Sequence, residues 1–78
     1  MTIEQAKQMY LHVFPDDGFC GTEWEDICNE MEAVASARTD EDAAAVIRWW
    51  HAIDWQDNYE AIMRDVRKLR RYAKKHNL

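Results

Sequence analysis

Seventy-eight residues, 47% hydrophobic and 12% aromatic, are enough for one domain spanning 1–78 and too rich in aromatics for a disordered chain. The formal net charge of −5 is unevenly placed: residues 1–60 hold fourteen acids against Lys7, Arg38 and Arg48, a net of −11, whereas beyond residue 60 seven bases face Asp65 alone, a net of +6. Two cysteines are too few for a disulfide framework, no basic-then-apolar leader opens the sequence, and no apolar run approaches the roughly 20 residues that span a bilayer, so the chain reads as cytoplasmic, with reduced thiols and no membrane partner.

Both glycines and the only proline fall between Pro15 and Gly21. That segment is the one strong loop signal in a chain otherwise free of breakers and of strand alternation, so helices are the default. The first should start after Thr2, where Thr2-x-x-Gln5 forms a capping box. Its apolar stripe is Ile3, Ala6, Tyr10, Val13 and Phe14, and Pro15 ends it. A second capping box, Thr22-x-x-Glu25, opens a helix with the stripe Trp24, Ile27, Cys28, Met31, Val34 and Ala35. A third helix starts at Thr39 or Asp40 and buries Ala43, Val46, Ile47, Trp50 and Ile53. Beyond Asp54 the stripe moves to Trp55, Tyr59, Ile62, Val66, Leu69 and Ala73. At about 100° per residue the last two stripes point roughly 140° apart, which favours a break at Asp54 over one continuous helix. The expected fold is therefore all-α: a small single-domain bundle of four helices near 3–14, 23–36, 40–53 and 55–76, the last one long.

A chain this short buries only about 60% of the surface that its unfolded form exposes, and aromatic side chains bury roughly 150–250 Å² each. Most of the nine aromatics must then be core. The expected core is Tyr10, Trp24, Ile27, Met31, Val34, Val46, Ile47, Trp50, Tyr59, Ile62, Val66 and Leu69.

Three constellations compete for a functional role. The first is acidic: Asp16 and Asp17 in the loop, then Glu23, Glu25, Asp26, Glu30 and Glu32 around the second helix. Carboxylates at helical intervals can imitate the charge of a nucleic-acid backbone, although part of this set only favours solubility and helix N-termini. The Asp40-Glu41-Asp42 group is covered by that second explanation. The next constellation is basic: Arg64, Arg67, Lys68, Arg71, Lys74 and Lys75 lie opposite the stripe of the last helix. They could contact phosphates or simply complement the negative end of the helix dipole, and the overall acidity disfavours direct nucleic-acid binding. The third is aromatic. Trp49 and Tyr72 sit off their stripes and Phe19 sits in the loop, and such residues are enriched at binding hot spots.

Catalysis and metal binding find little support. Cys20 and Cys28 are eight apart, His12, His51 and His76 are scattered, and no ligand spacing of a zinc or calcium site is present. His51 and Asp54 could meet on one helix, but no nucleophile accompanies them. Gly18-Phe19-Cys20-Gly21 lacks the lysine of a phosphate loop. A helix-turn-helix reader is equally disfavoured, because Asp40-Glu41-Asp42 would press acids against phosphates. No metal, cofactor or catalytic residue is expected.

In size and charge the chain is similar to the small acidic inhibitors that bacteriophages direct at host defence or transcription machinery, anti-CRISPR proteins among them. That resemblance rests on no motif and implies no fold. The leading expectation is a non-catalytic module that docks acidic face first on a basic surface of a larger, nucleic-acid-handling complex. The alternatives are an accessory or regulatory subunit that dimerises through its last helix, and a nucleic-acid binder using its basic end. The chain would act as a monomer or a homodimer.

Overall fold

Four helices follow in chain order: α1 (Ile3–Val13), α2 (Gly21–Ser36), α3 (Asp40–Ile47) and α4 (Tyr59–Lys75). The structure, a computed structural model, describes residues 1–15, 21–47 and 59–78, with the side chains of 21–23 outside that description. No strand occurs among the described residues, and the fold is all-α as the periodicity predicts. The loop beyond Pro15, the break at Asp54, and the stripe residues Trp50, Ile53 and Trp55 lie outside the described residues.

Caps explain four of the helix ends. Gln5 N–H donates to Thr2 Oγ1 at 3.1 Å and Thr2 N–H donates to Gln5 Oε1 at 2.8 Å, so the first capping box forms as read. Phe14 closes α1, its N–H donating to Tyr10 O at 2.9 Å, and Pro15 follows. α2 includes Gly21, so Thr22 lies within the helix and not at its N-cap; the side chain of Thr22, and with it the second box, lies outside the described residues. Thr39 caps α3 by accepting from Asp42 N–H at 3.1 Å. α4 ends in a Schellman arrangement: Leu78 N–H donates to Ala73 O at 2.8 Å and Asn77 N–H to Lys74 O at 3.3 Å, with Asn77 in the left-handed region at φ 57°. Asparagine is one of the few residues that tolerates this conformation.

α2 and α4 pack on each other, and α1 and α3 both pack on that pair. The shared core contains Met9, Tyr10, Trp24, Ile27, Met31, Val34, Ile47, Ile62, Met63, Val66 and Leu69, with Ala6, Cys28, Ala43, Ala44 and Ala73 filling close approaches. Tyr10 joins α1 to α2: its ring lies 5.9 Å from Trp24, edge to face, and 4.9 Å from Phe14. Lys7 Nζ lies 5.4 Å from the centre of the Trp24 ring, an additional cation–π attraction.

Two expected core residues are not buried. Tyr59 is 42% exposed although its angle on α4 is right, because periodicity reports direction around a helix and not how far neighbours reach along it. Val46 is half-buried, since α3 turns Ala43, Ala44 and Ile47 inward and leaves Val46 roughly 100° from the middle of that arc. Ile3, assigned to the first stripe, is also 42% exposed. It occupies the opening turn at the edge of the arc. Conversely, Met9 and Met63 are buried without having been marked by the stripes. Flexible thioethers fill irregular gaps that hydropathy spacing does not specify.

The chain start is tied to α2. The Met1 ammonium donates to Glu32 Oε1 at 2.6 Å, and the Cys28 thiol donates to Met1 O at 3.3 Å. Cys28 is a buried free thiol. The hydrogen bond to Glu32 raises the ammonium pKa above its ordinary value of 8.0; desolvation opposes this, and the charge of Glu32 reinforces it. A raised folded-state value means stability fully present below about pH 8 and lost as pH rises through the raised value. The melting temperature should therefore decline as pH rises above about 8, and Glu32→Gln should flatten that decline. Parallel slopes for parent and variant would show that the pair does not contribute.

Candidate functional site

The acidic set is less uniform in space than in sequence. Glu25 and Asp26 are exposed on α2, Glu30 is half-buried, and Glu32 is exposed but holds the chain start. On an ideal helix Glu25 and Glu32 fall on one flank and Asp26 and Glu30 on the other, roughly 100–160° apart. One carboxylate oxygen of Glu30 is shielded from solvent. The side chain of Glu23, and Asp16 and Asp17 entirely, lie outside the described residues, as do Phe19 and Trp49.

Asp40 belongs to a different arrangement. Its Oδ1 lies 2.9 Å from Arg70 Nε and its Oδ2 3.4 Å from Arg67 Nε. Arg70 Nη1 also donates to Val34 O at 2.8 Å, a carbonyl in the last turn of α2 that lacks an intrahelical partner. One guanidinium thus ties the end of α2 and the start of α3 to the middle of α4. Helical spacing set Arg70 apart from the basic face, but its partners were not legible, because its pairing depends on the crossing of three helices.

The remaining cations of α4 stay clear of such pairs. Arg64, Lys68, Arg71 and Lys75 are exposed and fall within about 60° of one another on the side opposite the buried stripe. Neither they nor Lys74 form an ion pair with another described residue. Lys68, Arg71, Lys75, Tyr72 and His76 join His12 of α1 in an open cleft of about 360 Å³. Tyr72, read from sequence as an off-stripe hot-spot candidate, is half-buried and already meets two other rings. Its ring centre lies 4.9 Å from that of His12 and 4.1 Å from that of His76. The two histidines had appeared scattered because their proximity is tertiary. A second open cleft, lined by Ala35, Arg70, Arg71, Ala73, Lys74 and Leu78, adjoins it through Arg71.

Among the described residues no group of three or more His, Cys, Asp or Glu side chains could hold a metal ion. No helix among them is long and apolar enough to cross a membrane. No protein-family model, curated protein or solved structure matches the chain.

Proposed function

We propose that this chain is a non-catalytic binding module that places its acidic pole on a basic surface of a larger nucleic-acid-handling protein, in the manner of a cytoplasmic inhibitor or regulator. The observation that carries this reading is the pair Glu25 and Asp26, exposed on α2 and without an ion pair to any described residue, in a chain of net charge −5. Long-range attraction between such a pole and a basic groove raises the encounter rate and fixes orientation more than it adds contact energy. Exposed charges are screened beyond about 8–10 Å at physiological salt, so the interaction should weaken steeply as salt is added.

Charge reversal tests the reading. Glu25→Lys with Asp26→Lys should slow association with the captured partner by about tenfold or more while dissociation changes less. Circular dichroism should be unchanged, because both side chains are exposed. Replacing Lys68, Arg71 and Lys75 by Ala should leave the same association rate nearly intact. The reverse pattern, with the basic set required and the acidic pair dispensable, would overturn the proposal.

A further inference from the structure

The cleft between α1 and the end of α4 has a composition that docking through the acidic pole does not use. Three exposed cations, Lys68, Arg71 and Lys75, border a row of three aromatic rings in the order His12, Tyr72, His76. We propose that this cleft binds a free nucleoside di- or triphosphate, with the cations holding the phosphates and the outer face of the His76 ring carrying the base.

The spacing suits a chain of phosphates. Lys68, Arg71 and Lys75 follow one another by three and four residues, and cover about 10 Å along one side of α4. Arg71 can present two parallel donors to phosphoryl oxygens, and the lysines supply mobile point charges on either side of it. No described acid pairs with any of the three. Asp65 is one turn before Lys68 on the same helix, and on α1 Glu4 accepts from Gln8 Nε2 at 3.2 Å.

The aromatic row distinguishes a nucleotide from other anions. Tyr72 lies against both histidine rings, at tilts of 36° and 32°, and both histidines are exposed. His76 directly precedes the Schellman turn, so hydrogen bonds from Asn77 and Leu78 to the helix end hold its backbone in place. An exposed ring carried on a held backbone is a platform on which a base can stack. An acidic peptide would use the cations and leave the rings idle. The volume of about 360 Å³ falls within the range of small-ligand sites.

Total charge disfavours a long strand but not a small ligand. At physiological salt the field is set by charges within about 8 Å, where the cleft contributes three cations. The inference is independent of docking through Glu25 and Asp26, since it involves the opposite pole.

Isothermal titration with the intact chain, without magnesium and at low salt, tests it using ATP, inorganic triphosphate, adenosine and an eight-residue oligothymidylate. ATP should bind with one-to-one stoichiometry, about tenfold tighter than triphosphate because of base stacking. Lys68→Ala with Lys75→Ala should weaken ATP by about tenfold or more. His76→Ala should bring ATP and triphosphate to within about twofold of each other. These side chains are exposed, and unchanged circular dichroism will show that the variants remain folded. Equal affinity for ATP and triphosphate in the parent would overturn the nucleotide assignment, as would tighter binding of the oligonucleotide. Absence of saturable ATP binding, or ATP binding indifferent to the double substitution, would overturn the site.

Discussion

Leu69→Ala should lower the unfolding free energy by about 2–5 kcal/mol, the largest effect expected of any exchange discussed for this chain. Leu69 is fully buried in α4, the helix that packs on all three of the others. Cutting its isobutyl group back to methyl loses transfer free energy and leaves a cavity in the shared core that the remaining side chains fill only in part. A domain of this length has a total stability on the order of 4–12 kcal/mol, so one truncation removes a substantial fraction. The denaturation midpoint in urea should fall with little change in slope. Tyr59→Ala is the control on the same helix. Its side chain is 42% exposed, and its truncation should cost about 1 kcal/mol or less. Equal midpoints for the two variants would mean that the packing of α4 is misassigned.

That pair of residues also marks where sequence reading succeeds and where it stops. Period and caps located the four helices because each rests on local physics: the spacing of apolar residues, the Thr2 and Thr39 hydroxyls, and the proline after Phe14. Burial within a stripe was legible for Trp24, Ile27, Met31, Val34, Ile62, Val66 and Leu69, which the core includes. It was not legible for Tyr59 or Val46, whose exposure depends on how far neighbouring helices extend and on how α3 is rotated. Met9 and Met63 were missed for a related reason: a core shaped by several helices leaves gaps that no single helix encodes.

The candidate sites divide in the same way. Sign and density of charge are one-dimensional properties, so an acidic and a basic region could be read directly. The use of individual charges could not. Glu32 holds the chain start, Asp40 holds two arginines, and Arg70 reaches a helix end. His12 and His76 are sixty-four positions apart in sequence, yet both rings meet Tyr72 in tilted contacts. The basic end borders an open cleft between α1 and α4, and on α2 Glu32 is taken up by the chain start while Glu25 and Asp26 stay exposed.

Arg70→Met should cost about 1.5–3 kcal/mol, a large effect for a residue among six other cations. The substitution keeps much of the apolar stem and removes the donors. Two interactions are lost, and they differ in weight. The ion pair with Asp40 is close at 2.9 Å, but the aspartate side chain is 37% exposed, so solvent screening limits that pair to about 1 kcal/mol or less. The donation to Val34 O at 2.8 Å is part-buried and serves a carbonyl at the end of α2 that has no helical partner. Leaving such an acceptor unsatisfied carries a desolvation penalty beyond the bond itself, and it accounts for most of the expected loss. Asp40→Asn should consequently destabilise less than Arg70→Met. Arg70→Lys should fall in between, because a single ammonium cannot reach both acceptors with the geometry of a fork. Arg67 offers the sharpest comparison. It meets the same aspartate at 3.4 Å with a side chain 56% exposed, and Arg67→Met should change stability by about 0.5 kcal/mol at most. Should the two methionine variants unfold at the same urea concentration, Arg70 would be one more solvated cation. The joining of α2, α3 and α4 would then rest on apolar packing alone.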